Sequence, residues 1–223
     1  GYDGRASCMI IQPDGKIIFG GYARPVYTSL NQYYSIARYN TDGSFDDNFS
    51  GDGKQLIYNF SGKVNAIDIQ TDGKIIVGGT GKGLGLMRFQ INGELDSTFG
   101  INGIVNIKVG DTTILTNQDV RSLKVQQDGK IIISGMYYHS GKWDLLLARF
   151  NSNGSLDTIG GFGTGGFTIT DVDNGSTDFA NSMVLQPDGK IIIGGAAYTG
   201  SRNYFNICRY TANGILDNTF SGD

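Results

Sequence analysis

The chain has 223 residues, enough for one sizeable domain, and carries 35 glycines, 12 tyrosines, 12 phenylalanines and only 3 prolines, a composition that calls for many short strands and tight turns and excludes a fold of long helices. Charged residues make up 17%, the net charge is −3 and no Lys/Arg cluster occurs, so the electrostatic attraction that drives nucleic-acid binding is missing. No apolar run approaches the roughly 20 residues of a membrane-crossing helix, and residues 1–5 lack the charged start and apolar centre of a secretory signal, so neither membrane insertion nor nucleic acid is expected.

The predicted elements fall into repeating units. The first, about residues 6–60, contains Gln12-Pro13-Asp14-Gly15-Lys16-Ile17-Ile18-Phe19-Gly20-Gly21, in which the Asp-Gly pair suits a tight hairpin between two strands. Ile36-Ala37-Arg38-Tyr39 closes a third strand, a turn runs from Asp42 to Asp46, and a fourth strand is expected over 55–60. The second unit, 61–109, repeats both signatures as Gln70-Thr71-Asp72-Gly73-Lys74-Ile75-Ile76-Val77-Gly78-Gly79 and as Leu86-Met87-Arg88-Phe89 followed by Asn92 to Asp96. Its strands are predicted over 64–70 (a), 74–79 (b), 84–90 (c) and 104–109 (d), a four-stranded antiparallel meander.

The third unit, 110–170, carries the first motif at 126–135 and the second as Leu147-Ala148-Arg149-Phe150 with Asn153 to Asp157; its Ile131-Ile132-Ile133 run calls for a strand covered on both faces. In the fourth, 171–223, the motifs are 186–195 and Ile207-Cys208-Arg209-Tyr210 with Asn213 to Asp217. The turn glycines 15, 73, 129 and 189 lie 58, 56 and 60 residues apart. Two motifs recurring in phase make this an all-β chain, a β-propeller of about four four-stranded antiparallel blades; shorter repeats would suit an open solenoid instead. Ser221-Gly222-Asp223 matches Ser50-Gly51-Asp52, which immediately precedes strand d in unit one. Three blades are therefore expected to be complete and the last to lack its outer strand, with the ring completed by further blades of the same chain or by another copy.

Taken together, Q-x-D-G-K-I followed by hydrophobic residues and Gly-Gly, then A-R-aromatic and D-G-S-L-D, resembles the delta-60 repeat family of bacterial proteins, and the resemblance covers nearly the whole chain. It implies a propeller-type domain of large secreted or cell-surface proteins, generally without assigned chemistry, and hence an extracellular or cell-surface location.

Chemistry is sparse. His139 is the single histidine and cannot be joined by a second, so a multi-histidine zinc site cannot be built from this chain. Cys8 and Cys208 fill slots that other units give to Ala or Ser and to Ala or Met, so they read as buried free thiols. Arg38, Arg88, Arg149 and Arg209 recur with Asp46, Asp96, Asp157 and Asp217 once per unit, the pattern of a structural anchor and not of an active site. The segment from Asp171 to Asp178 hints at a calcium loop, but its glycine is one position early for an EF-hand and the distal glutamate is missing, so it reads as a strand-connecting turn. No catalytic residue, metal or cofactor is expected.

The a–b and c–d turns are nearly identical in all units, whereas the b–c and d–a loops differ, so one face is uniform and the other individually decorated. On the variable face lie Tyr33 and Tyr34, then Tyr137, Tyr138, His139 and Trp143, then Tyr198, Arg202 and Tyr204, side-chain types that anchor protein and glycan recognition. The expected function is a noncatalytic binding or structural module of an exported surface protein or adhesin, with a protein or glycan as partner. A lectin-like propeller is the alternative, and a lyase or glycosidase would need unit-specific acids to converge, with Asp111, Asp119, Asp144, Asp171, Asp173 and Asp178 available.

Overall fold

Each Asp-Gly pair reverses the chain in the same way: in the first, Gln12 N–H donates to the Lys16 carbonyl at 2.8 Å, Gly15 N–H donates back to Gln12 at 2.9 Å, and the Asp14 carboxylate accepts the Lys16 amide at 3.1 Å. Gly15, Gly73, Gly129 and Gly189 all have φ between 81° and 84°, a region closed to most side chains, which is why glycine recurs at that position. The computed structural model describes residues 2–25, 31–81, 83–108, 118–172 and 175–220. It divides the chain into two compact units, Gly1–Ile107 and Lys108–Asp223, each holding two blades.

In the first unit, β1 (Tyr2–Ile11), β2 (Ile17–Pro25), β3 (Tyr33–Tyr39) and β4 (Lys54–Ser61) pair antiparallel in chain order as blade 1. Blade 2 is β5 (Lys63–Ile69), β6 (Ile75–Thr80), β7 (Leu84–Phe89) and β8 (Ile104–Ile107), also antiparallel. In the second unit, β9 (Gln118–Val125), β10 (Ile131–His139), β11 (Lys142–Phe150) and β12 (Phe167–Thr170) form blade 3. Blade 4 has three described strands, β13 (Thr177–Leu185), β14 (Ile191–Tyr198) and β15 (Asn203–Tyr210). The described residues contain no helix.

The second glycine of each Gly-Gly pair is needed inside its own blade. A register shift interrupts every a–b pairing opposite it, between Ala6 and Cys8, Val64 and Ala66, and Ala180 and Ser182, with the matching shift at Ser134/Gly135. A Cβ on Gly21, Gly79, Gly135 or Gly195 would lie 1.7–1.9 Å from a carbonyl oxygen of the blade's own first strand. The glycine is thus required by a β-bulge inside each blade, at ordinary φ, because no side chain fits.

Blades pack through the faces that the strands' alternation exposes. In the first unit Ile18, Tyr34, Ile36 and Phe60 of blade 1 bury themselves against Val64, Ile67, Val77, Met87 and Phe89 of blade 2. Tyr34, 1% exposed, reaches the Gly79–Gly85 groove of β6 and β7 and donates its hydroxyl to the Gly85 carbonyl at 3.4 Å. The second unit repeats the arrangement with Ile132, Leu145 and Leu147 against Ala180, Met183, Ile193, Cys208 and Tyr210. On blade 4 the slots of Tyr34/Ile36 and of Leu145/Leu147 are held by Phe205 and Ile207, and both are exposed. Blade 1, in turn, carries an open groove of about 460 Å³ over Phe19, Gly20, Gly21, Ala37 and Tyr39, the place where blade 2 receives Tyr34.

Candidate binding site

The antiparallel meander sends a–b and c–d turns to one end of each blade and b–c and d–a loops to the other. At the uniform end, Arg38 Nε donates to Asp46 Oδ2 at 2.7 Å and Lys16 Nζ joins the same oxygen at 2.8 Å. The Arg38 guanidinium lies 4.6 Å over the Phe49 ring, and its Nη1 donates to the Ile91 carbonyl of the next blade's turn. Arg88 with Asp96, Lys74 and Phe99, Arg149 with Asp157, Lys130 and Phe162, and Arg209 with Asp217, Lys190 and Phe220 repeat this four-residue cluster. Arg149 likewise reaches the Ala212 carbonyl at 3.3 Å, so in each unit the first blade's arginine staples the second blade's turn.

Burial works to raise the Asp46 carboxyl, but hydrogen bonds from Lys16 and the Asn48 amide and the charge of Arg38 outweigh it and hold it at about 2. Asp96 and Asp157 are lowered against burial by the same kinds of partner, and Asp217 is lowered first by the Thr219 hydroxyl and then by Lys190. These groups are paired with one another and form a fastening, with no free acid or base to offer a substrate. Two further members of each cluster also recur in the sequence: the lysine of Asp-Gly-Lys, and a phenylalanine three residues after Asp46, Asp96 and Asp217 and five after Asp157.

The variable end sorts its aromatic residues into two groups. Tyr34 and Tyr137 are core residues and not contact residues, buried at 1% and 4% exposure because their strand positions face packed neighbours. Tyr33 is half-buried and packs on Tyr58 at 5.7 Å between ring centroids. In the second unit Tyr138 and Trp143, cross-strand partners on β10 and β11, meet edge to face at 5.1 Å and stay partly exposed, with His139 exposed beside them. Tyr198 at the end of β14, Arg202 in the b–c turn and Tyr204 near the start of β15 are exposed, and the Tyr198 hydroxyl donates to the Gly200 carbonyl at 2.7 Å. Cys208 is a buried free thiol as its slot implied; Cys8 is free but only half-buried, and burial pushes the two up to about 11 and about 12.

Of the acids available at this end, three converge. Asp144 at the start of β11, Asp171 just after β12 and Asp178 at the start of β13 each place a carboxylate oxygen within 4.8 Å of the others. Asp178 accepts the Val172 amide and the Ser176 hydroxyl, each at 2.7 Å, while Asp171 pairs with Lys142 and accepts the Gly175 amide at 3.3 Å. Asp144 is 5% exposed and its Oδ1 has no hydrogen-bond partner among the described residues. Its carboxyl is raised, chiefly by burial, with the charges of Asp171 and Asp178 working against that of Lys142. Asp119 pairs with Arg121, and Asp111 and Asp173 lie outside the described residues. The spacing from Asp171 to Asp178 was visible in the sequence; the contribution of Asp144, 27 residues upstream of Asp171, depended on strand register.

Several solved structures share the architecture. A protein of unknown function from Dyadobacter fermentans superposes with a TM-score of 0.63 at 14% identity, covering 97% of this chain and 68% of that one. An ulvan lyase of a new polysaccharide lyase family gives 0.56 at 13% identity, covering 92% of this chain and 55% of its own, and was also solved bound to the saccharide GlcA(1-4)Rha3S. The chain therefore spans little more than half the length of that enzyme, and at these identities the likeness is one of fold. No curated protein matches. A family described as a domain of unknown function (DUF5122) β-propeller matches residues 12–49, 70–99, 126–158 and 186–220, which hold both repeat motifs of every blade. With more than half its length matched, four times over and in phase with the blades, the chain belongs to the DUF5122 β-propeller family.

Proposed function

We propose that the chain is a noncatalytic binding module of an exported bacterial surface protein of the delta-60 kind, and that it recognises a glycan or a protein surface through the aromatic b–c loops of its second unit. The partly exposed Tyr138–Trp143 pair carries this reading. Two partly exposed rings in edge-to-face contact, flanked by His139 and followed on the next blade by Tyr198, Arg202 and Tyr204, give contact area at low entropic cost. A sugar ring is the ligand class to test first, since its apolar face stacks on indole and phenol; the fold's use by an enzyme that acts on ulvan agrees with this without requiring it. The three gathered carboxylates are given no catalytic role in this reading, since Asp144 and Asp178 are buried.

Trp143 is the chain's one tryptophan, so its emission reports on the site directly. Titration with neutral and uronic-acid polysaccharides should shift that emission for at least one of them, and Tyr138→Ala should weaken the same ligand by about tenfold or more, the usual cost of a truncated hot spot. Emission unmoved by every polysaccharide, together with unaltered ligand retention by Tyr138→Ala on a glycan column, would sink the glycan form of the reading.

The same proposal assigns the exposed Phe205–Ile207 face and the blade 1 groove to neighbouring blades, since their counterparts inside each unit are filled by such contacts. Light scattering of the 223-residue chain should then show self-association that Phe205→Lys with Ile207→Lys abolishes. A wild-type chain that is a stable monomer at high concentration would refute this part.

A further inference from the structure

We propose that Asp144, Asp171 and Asp178 form a binding site for a hard divalent cation of the calcium class, joining blade 3 to blade 4 at the variable end of the second unit. Three chain segments deliver the ligands: the entry to β11, the exit from β12 and the entry to β13. A cation held there would tie the middle and outer strands of one blade to the inner strand of the next, directly beside the Trp143 hairpin. This does not rest on glycan recognition.

Three carboxylates with oxygens within 4.8 Å of one another repel strongly in a site where two of them are buried. The neighbouring cation, Lys142, pairs with Asp171, whose side chain is 32% exposed, and so sits toward the rim. Asp144 itself is 5% exposed, and its Oδ1 has no hydrogen-bond partner among the described residues, although a buried carboxylate oxygen is ordinarily hydrogen-bonded. A bare metal ion resolves both features, since it supplies the missing positive charge and occupies the unfilled acceptor.

The donor set selects the metal. Asp144, Asp171 and Asp178 offer oxygen only, and the Ser176 hydroxyl, 2.7 Å from Asp178, adds another oxygen at the same place. Hard oxygen donors suit calcium, magnesium or manganese, with carbonyls and water completing the six to eight positions that calcium takes, whereas zinc would call for nitrogen or sulfur. Cys208 is a buried free thiol and is not among the gathered donors. Because the ligands come from three strands, no contiguous calcium-loop motif is needed, which is why the 171–178 segment fails as an EF-hand while its two end residues serve here.

The competing account is that Asp144 simply keeps a proton and shares it with a neighbouring carboxylate. Isothermal titration of the EDTA-treated full chain with CaCl₂ separates the two, with thermal melting in parallel. A cation site predicts one-site binding, with a dissociation constant of about 10⁻³ M or tighter as in extracellular modules, and a melting temperature that rises with calcium. Asp144→Asn, which keeps shape and should fold, is expected to weaken binding by about tenfold or more, as loss of one charged ligand does. Lys142→Gln is expected to tighten it several-fold, because it removes a charge that competes for Asp171. No heat and no shift in melting with about 10 mM calcium, magnesium or manganese would overturn the proposal. So would binding left unchanged by Asp144→Asn, or weakened by Lys142→Gln.

Discussion

Asp96→Ala is expected to destabilise the fold by about 3–5 kcal/mol, the cost of removing one partner from a buried ion pair. The Asp96 side chain is 1% exposed and accepts from Arg88 at 2.7 Å and Lys74 at 3.0 Å. Deleting it leaves a buried guanidinium, stacked on Phe99, with its principal counter-charge gone. Urea unfolding followed by circular dichroism measures the loss, and Asp47→Ala, an exposed acid next to the equivalent Asp46, should change stability by no more than about 0.5 kcal/mol. Replacing Arg88 by Met together with Asp96→Ala should recover part of the loss, because no unpaired charge then remains buried. Equal losses at Asp96 and Asp47 would show that the cluster is ornamental.

The same clusters set the pH dependence. Their four carboxylates titrate below the ordinary aspartate value of about 3.9, so protons bind the unfolded chain more readily than the folded one. Their stabilisation is therefore complete above about pH 4 and is lost as pH falls through the folded values, which for Asp46 lies at about 2. Unfolding free energy should be flat from about pH 5 to 7 and decline steeply below about 4, less so in Asp96→Ala, which has one such group fewer.

Phe162→Ala should cost about 3–5 kcal/mol, the range for emptying a buried aromatic site. Phe162 is 1% exposed in the core of the second unit, and its ring supports the Arg149 guanidinium at 4.6 Å. It also bears the turn of the following blade so closely that a Cβ on Gly214 would lie 2.7 Å from the ring. One truncation thus removes core volume, the platform under an arginine and the seat of the neighbouring blade's turn. Phe162→Leu should cost clearly less, since it keeps most of that volume. Denaturant midpoints for the two variants decide the matter: an alanine variant within about 1 kcal/mol of the wild type would mean that the blades do not depend on these ring platforms.

Much of the architecture was legible because its determinants are local. Asp-Gly followed by Lys and apolar residues specifies a hairpin whatever surrounds it, and the structure places β6 at Ile75–Thr80 and β7 at Leu84–Phe89, against predicted strands over 74–79 and 84–90. Repetition converts one such reading into four. Arg38 and its counterparts were legible as anchors for the same reason, since a feature present in every unit serves what every unit needs.

What the sequence could not determine was which side chains on one strand end in solvent and which in the core. Tyr33 and Tyr34 are adjacent and chemically identical, yet Tyr34 is buried and Tyr33 is not, because strand alternation turns one toward blade 2 and the other away. Asp144 was equally opaque: its meeting with Asp171 and Asp178 depends on the register of β11 with β12 and on the seating of β13 beside them. By itself the sequence determined the repeat, its turns and its strand order, all of which rest on backbone preferences and spacing within a few residues. Only the tertiary structure decided which residues share a surface or a charge cluster, because that follows from how separate strands are brought side by side.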